Sequence, residues 1–101
     1  MTTTESNKLI AEFMGYESYE FRGYTMFVYE ENNHRTDTDL HYHASWKWLH
    51  NVIDKCFKVA QDGDMVDIMH HLQVSDRDAT YKAVIEFIND YNNRKDEMLD
   101  M

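Results

Sequence analysis

Tyr42-His43-Ala44-Ser45-Trp46-Lys47-Trp48-Leu49-His50-Asn51-Val52-Ile53-Asp54-Lys55-Cys56-Phe57 is the stretch on which the fold turns. Trp46, Leu49, Ile53, then Cys56 or Phe57, and Ala60 recur at steps of three and four. That spacing lines them along one side of an α-helix. Ser45 stands just before this face and is a good N-cap, so the spacing predicts a central helix from Ser45 to about Gln61. Its apolar side is expected to bury Trp46, Leu49 and Ile53 against Phe13, Val84 and Ile88.

Upstream, Glu5 to Gly15 reads as a short helix with Leu9, Ile10, Phe13 and Met14 on its apolar face. Gly15 suits the position just past its end, where positive φ carries no Cβ penalty. Residues 1–4 are expected to fray. Between 16 and 30 the pattern changes. Tyr19 and Phe21 alternate with Glu20 and Arg22, and Tyr24-Thr25-Met26-Phe27-Val28-Tyr29 is β-favouring. Gly23 lies between them, which predicts a hairpin or a bent strand pair. Glu30 to Asp39 is polar throughout and reads as a loop. Leu40-His41-Tyr42 is expected to form a short strand leading into the central helix.

Downstream, Asp62-Gly63-Asp64 breaks the chain. Residues 64–73 can be read as helix or strand: Met65, Ile68, Met69 and Leu72 fit one helical face, Val66, Ile68 and His70 fit strand alternation less well, and a short helix is the favoured reading. Ser75 and Asp78 match a capping box, with Asp76 also favourable to the helix dipole. They predict a last helix from Asp76 to about Asn93, with Tyr81, Val84, Ile85, Ile88 and Tyr91 on its face. Residues 94–101 are expected to fray. The fold class is α+β: one domain over residues 1–101, with three helices packed on a small antiparallel sheet from residues 17 to 42.

The chain has 101 residues and a net charge of −9, which suits one small domain and opposes binding to nucleic acid or anionic membrane. Aromatic residues make up 14%, which supplies much buried area from few positions. The lone Cys56 excludes an internal disulfide and a cysteine-based zinc site. No apolar run approaches the roughly 20 residues of a membrane span. Met1-Thr2-Thr3-Thr4-Glu5 is polar and has no signal-peptide apolar region, so the expected location is the cytoplasm of whatever cell makes the protein.

Chemistry is sparse. His41 and His43 would share a face on a strand, and His50 with Asp37 or Asp39 could complete a metal site. The spacing matches no zinc pattern, so no metal and no cofactor is assigned. His70 and His71 are adjacent and cannot face one way on a regular element. Ser45 is accounted for by its cap, and no Gly-x-Ser-x-Gly elbow occurs. Phosphate loops are absent and Cys56 sits in an apolar context, so no catalytic residue is assigned. Charge is unevenly spread. Asp62, Asp64, Asp67, Asp76 and Asp78 face only Arg77 across their segment, while Lys47, Lys55 and Lys58 with Asp54 mark the outer side of the central helix.

Three blocks carry a resemblance: Asn7-Lys8-Leu9-Ile10-Ala11-Glu12-Phe13-Met14-Gly15, Tyr42-His43-Ala44-Ser45-Trp46-Lys47-Trp48-Leu49, and Tyr81-Lys82-Ala83-Val84-Ile85-Glu86-Phe87-Ile88 ending in Tyr91-Asn92. In this order the chain resembles a family of short uncharacterised proteins of bacteriophages and their Bacteroidota hosts. That family carries an acid between its two tryptophans, where this chain has Lys47, and a longer stretch between its second and third blocks. The resemblance brings no functional residue with it. It implies a shared fold, a phage context and, for the location, the cytoplasm of a bacterial host cell.

The first functional expectation is an acidic protein-interaction module. It would occupy a basic surface of a nucleic-acid-handling host enzyme, as an anti-CRISPR-like inhibitor of a defence nuclease does. Trp48 would be its aromatic anchor, because two tryptophans two apart on a helix cannot both face the core. Asp62, Asp64, Asp67, Asp76 and Asp78 would be its acidic contacts. The alternative is a structural domain that self-associates through its aromatic surface. Histidine-based metal binding is the third.

Overall fold

The computed structural model describes residues 2–29, 33–61 and 63–99. The chain opens with helix α1, Thr3–Phe13. Thr2 is its N-cap: its Oγ1 accepts from the Glu5 N–H and donates to the Glu5 carboxylate, both at 3.1 Å. Thr2 and Glu5 thus hold the start of α1 through the Thr2 hydroxyl, and the cap orders residues expected to fray. At the other end Gly15, with φ +82°, donates to the Glu12 carbonyl while Tyr16 donates to Ala11. This pair of bonds is the Schellman stop that Gly15 implied.

Strands β1 (Ser18–Phe21), β2 (Tyr24–Tyr29) and β3 (Asn33–Thr36) form an antiparallel sheet in the order β1-β2-β3. Arg22 and Gly23 join β1 to β2, and both have positive φ. A two-residue turn of that hand is type I′, which matches the twist of the strands it joins. β3 replaces part of the expected polar loop. Leu40-His41-Tyr42 is not a strand: a 3₁₀ turn, Asp37–Asp39, follows β3, and Leu40 and Tyr42 are buried in the core. The sheet therefore spans residues 18–36 rather than 17–42.

Helix α2 is Trp46–Val59, with the Ser45 side chain accepting from the Trp48 N–H. Leu49, Val52, Ile53 and Cys56 face inward, and Phe57 lies outside. Trp46 is half-buried rather than central. Leu49 and Ile53 join Phe13, Val84 and Ile88 in one core, together with Ile10, Phe27, Leu40, Tyr42 and Ile68. Lys55 turns back from α2 so that its ammonium donates to the Phe13 carbonyl and lies 4.9 Å from the Phe13 ring centroid. A cation at the end of α1 complements the helix dipole.

Helix α3, Val66–Gln73, is the short helix favoured from the sequence, and with it the described residues hold four α-helices rather than the three expected. Helix α4, Arg77–Leu99, runs past the expected end near Asn93, so residues 94–99 continue the helix.

Ser75 is not the cap of α4. It has φ +55° and donates to Leu72 while Asp76 donates to His71, so it is the left-handed residue that stops α3. Asp76 caps α4 instead, its Oδ1 accepting from the Ala79 N–H at 3.1 Å. A non-glycine residue in this conformation costs roughly 1–2 kcal/mol, so Ser75→Gly is expected to stabilise the protein by about 1 kcal/mol. Asp76→Ala is expected to lose about 1 kcal/mol. Urea midpoints measure both, and a destabilised Ser75→Gly would refute the stop assigned to Ser75.

Candidate interaction surface

The sheet has two unlike faces, set by its register. Ser18 pairs with Phe27, Tyr19 with Met26, Glu20 with Thr25 and Phe21 with Tyr24. Met26 pairs in turn with Thr36, Phe27 with Arg35 and Val28 with His34. Side chains alternate between faces along a strand. Phe27 and Arg35 therefore point to the core side. Tyr19, Phe21, Tyr24, Met26, Val28 and His34 point the other way.

That outer face is aromatic and open. Tyr19 is 41%, Phe21 52% and Tyr24 56% exposed. Phe21 and Tyr24 sit opposite each other across the I′ turn. The Arg22 guanidinium lies 5.2 Å from the Phe21 ring centroid. The Tyr19 hydroxyl and His34 Nδ1 are 2.7 Å apart, so one hydrogen bond crosses the sheet from β1 to β3. Single exposed apolar residues are ordinary, but contiguous ones mark a contact surface. The signal in the sequence was the spacing of Phe21 and Tyr24 about a two-residue turn. It needed a firm assignment of β1, which four residues of mixed polarity did not support.

Trp48 does not stand free. It is half-buried, with the Tyr42 ring edge-on at 5.1 Å and the His41 ring at 5.4 Å. The Arg35 guanidinium covers its ring at 5.1 Å, and Arg35 also donates to Asp39 at 3.2 Å. Both tryptophans reach the core margin because Trp48 packs beneath the sheet.

The acidic residues divide. Asp62 lies outside the described residues. Asp64 accepts from the Gln61 N–H at 2.8 Å and from the Arg94 guanidinium at 3.0 Å. These two bonds, the backbone one first, hold its carboxyl below the usual range. Asp76 is spent on the cap of α4. Asp67 and Asp78 are exposed. Asp64 and Asp67 line a groove of about 200 Å³ between α3 and α4, with Glu86, Asp90 and Arg94.

Because the folded state favours charged Asp64, its contribution is complete above the unfolded carboxyl value of about 4. It is lost as pH falls through the lower folded value. Asp64→Asn is therefore expected to be less stable than the parent at pH 6, with the gap closing on acidification. Thermal melts from pH 6 to pH 2 measure this, and a gap that widens would contradict the ion pair.

The histidines disperse. His41 Nε2 lies 3.0 Å from Asp39, His43 Nδ1 lies 2.9 Å from the Asn7 side-chain nitrogen, and His50 lies against Trp46. Among the described residues no three potential ligands converge. Burial pushes the Cys56 thiol up to about 12, so it is not a thiolate near neutrality. No helix among the described residues is long and apolar enough to cross a membrane. Comparison with family models, curated proteins and solved structures found no match for this chain.

Proposed function

We propose that the protein is a small acidic interaction module that acts by occupying a basic surface of another protein. Its contact surface is the outer face of the sheet. The observation that carries this reading is the exposed set Tyr19, Phe21 and Tyr24 on a sheet whose opposite face is anchored by Phe27. Aromatic side chains with a neighbouring arginine are the residue types that dominate interface energies. The net charge of −9 supports a basic partner and steers its approach. The resemblance to phage proteins supports an inhibitor of a bacterial defence nuclease, in the manner of anti-CRISPR proteins. In this reading Trp48 props the sheet from behind, and the exposed Asp67 and Asp78 act at long range.

The test is binding to a candidate defence nuclease, with and without its guide RNA, across a salt titration. The double variant Phe21→Ser/Tyr24→Ser is expected to abolish binding and leave the protein folded, with the melting temperature lowered by no more than about 4–8 °C, since two surface substitutions of about 0.5 kcal/mol each sum to about 1 kcal/mol. Trp48→Ala is expected to lower the melting temperature. Salt-insensitive binding, or tight binding of the protein alone to DNA or RNA, overturns the reading. A homodimer that Phe21→Ser/Tyr24→Ser converts to monomer in sedimentation would replace it with the self-associating structural domain.

A further inference from the structure

The hydrogen-bond parity of β1 decides which of its backbone groups face outward. The Val28 N–H donates to the Glu17 carbonyl at 2.9 Å, so Glu17 and Val28 form a bonded pair of the β1–β2 ladder. Bonded and non-bonded pairs alternate in an antiparallel ladder. Tyr19–Met26 and Phe21–Tyr24 are therefore bonded, and Ser18 and Glu20 turn their backbone N–H and C=O groups away from β2. β1 is the end strand of the sheet, and all four of its residues are exposed. Among the described residues no strand pairs with that outer edge.

We propose that this edge receives a β-strand from the partner: an extended segment in which basic and apolar residues alternate. The proposal rests on the interaction reading above and specifies how that surface is used. Charge selects the occupant. Glu20 lies exposed on the edge, its carboxylate accepting from the Thr25 hydroxyl at 3.0 Å, and Glu17 is exposed at the start of the strand. Two copies paired through β1 would bring like carboxylates together, on chains that each carry −9. An incoming lysine or arginine beside Glu20 makes a favourable cross-strand pair. The strand's other side chains then fall on the aromatic face, next to Tyr19 and Phe21. Main-chain bonds supply attachment and the flanking side chains supply selectivity, as in other cases of strand addition.

The test uses the full chain, ¹⁵N-labelled, titrated with three end-blocked eight-residue peptides. One alternates Lys with Val, one alternates Glu with Val, and one has the Lys and Val residues in two blocks. The alternating Lys/Val peptide is expected to shift the amide resonances of Ser18 and Glu20, to slow their solvent exchange, and to give cross-strand contacts to β1. The other two peptides are expected to bind at least about tenfold more weakly. Glu20→Pro removes the outward N–H at a position where an edge strand tolerates proline, and should abolish binding with the fold intact. Glu20→Lys keeps the backbone unchanged and should transfer preference to the Glu/Val peptide, which keeps the test decisive if the proline variant does not fold.

Several outcomes overturn the proposal: no binding of the Lys/Val peptide at millimolar concentration, equal binding of the block peptide, or slow exchange at Ser18 and Glu20 that depends on protein concentration alone. Shifts confined to Tyr19, Phe21 and Tyr24, with Glu20→Pro binding as well as the parent, also overturn it. That last pattern leaves the aromatic face in place as the contact surface. Loss of nuclease binding in Glu20→Pro together with its persistence in Phe21→Ser/Tyr24→Ser would instead sink the face and keep the edge.

Discussion

Phe27→Ala is expected to remove about 3–5 kcal/mol of stability, the usual loss for truncating a core phenylalanine. Phe27 is fully buried, and it is the one fully buried side chain of the sheet among the described residues. The other strand residues whose burial is described are half-buried or exposed. The sheet is thus held to the helices by Phe27, by the Arg35–Trp48 contact beneath it, and by the chain running through the 3₁₀ turn into buried Leu40 and Tyr42. A domain of this size is stable by roughly 5–15 kcal/mol in total. The variant is therefore expected to be marginal, with amide protection lost first in β1 and β2 and last in α2 and α4. Phe27→Leu keeps most of the volume and should lose less than about 1.5 kcal/mol. Denaturant midpoints and hydrogen exchange measure these outcomes. A loss below about 1 kcal/mol from Phe27→Ala would mean that the sheet is not moored through this ring.

The helices were legible in the sequence because each has an apolar face with a marked start or stop. Trp46, Leu49, Ile53 and Cys56 repeat at helical spacing, and Ser45 caps the helix they form. Gly15 ends α1 where a glycine was needed. What escaped was governed by contacts remote in the chain or by competing local rules. β3 is Asn33-His34-Arg35-Thr36, a run without an apolar residue, and its strand state comes from pairing with β2. Ser75 is a favourable N-cap by type, yet the stop of α3 needs a left-handed residue there, and the cap moves on to Asp76. The final turns of α4 carry few apolar residues, but Arg94 reaches back to Asp64 and Gln61. The exposed aromatic face of the sheet was hidden for a related reason. Trp48 is a large aromatic with no place on the helix's inner stripe, and nothing local reveals that a strand lies over it. Tyr19, Phe21 and Tyr24 look like core candidates until the register puts all three on the face opposite Phe27.

The second large effect is expected at a polar residue. Asn7 is 2% exposed, on α1, one of the few buried polar residues beside the apolar core, with Ser6 and Thr80. Its side-chain nitrogen lies 3.0 Å from the Leu40 carbonyl and 2.9 Å from His43 Nδ1, while its oxygen accepts from the Tyr81 hydroxyl at 2.9 Å. One side chain thus ties α1 to the segment before α2 and to α4. The Leu40 carbonyl can only accept, which fixes the amide's orientation. His43 Nδ1 must then accept as well, and its ring proton sits on Nε2. Burial pushes the Tyr81 phenol upward, so its hydroxyl stays a donor near neutrality. Asn7→Ala takes its donor from the buried Leu40 carbonyl and one bond each from His43 Nδ1 and the Tyr81 hydroxyl, which keeps its Ser6 neighbour; a buried group left without a partner costs about 1–3 kcal/mol. The expected loss is about 2–4 kcal/mol. Tyr81→Phe removes one bond and should lose about 1 kcal/mol. The two changes share that bond, so the double variant should be more stable than the sum of the single losses predicts. Asn7→Asp offers no donor to Leu40 and buries a charge, and should be worse than Asn7→Ala at neutral pH. Imidazole nitrogen shifts should report the Nε2–H form of His43 in the parent and lose that preference in Asn7→Ala. Additive losses for Asn7→Ala and Tyr81→Phe, or an Asn7→Asp variant as stable as the parent, would show that this node does not hold the three elements together.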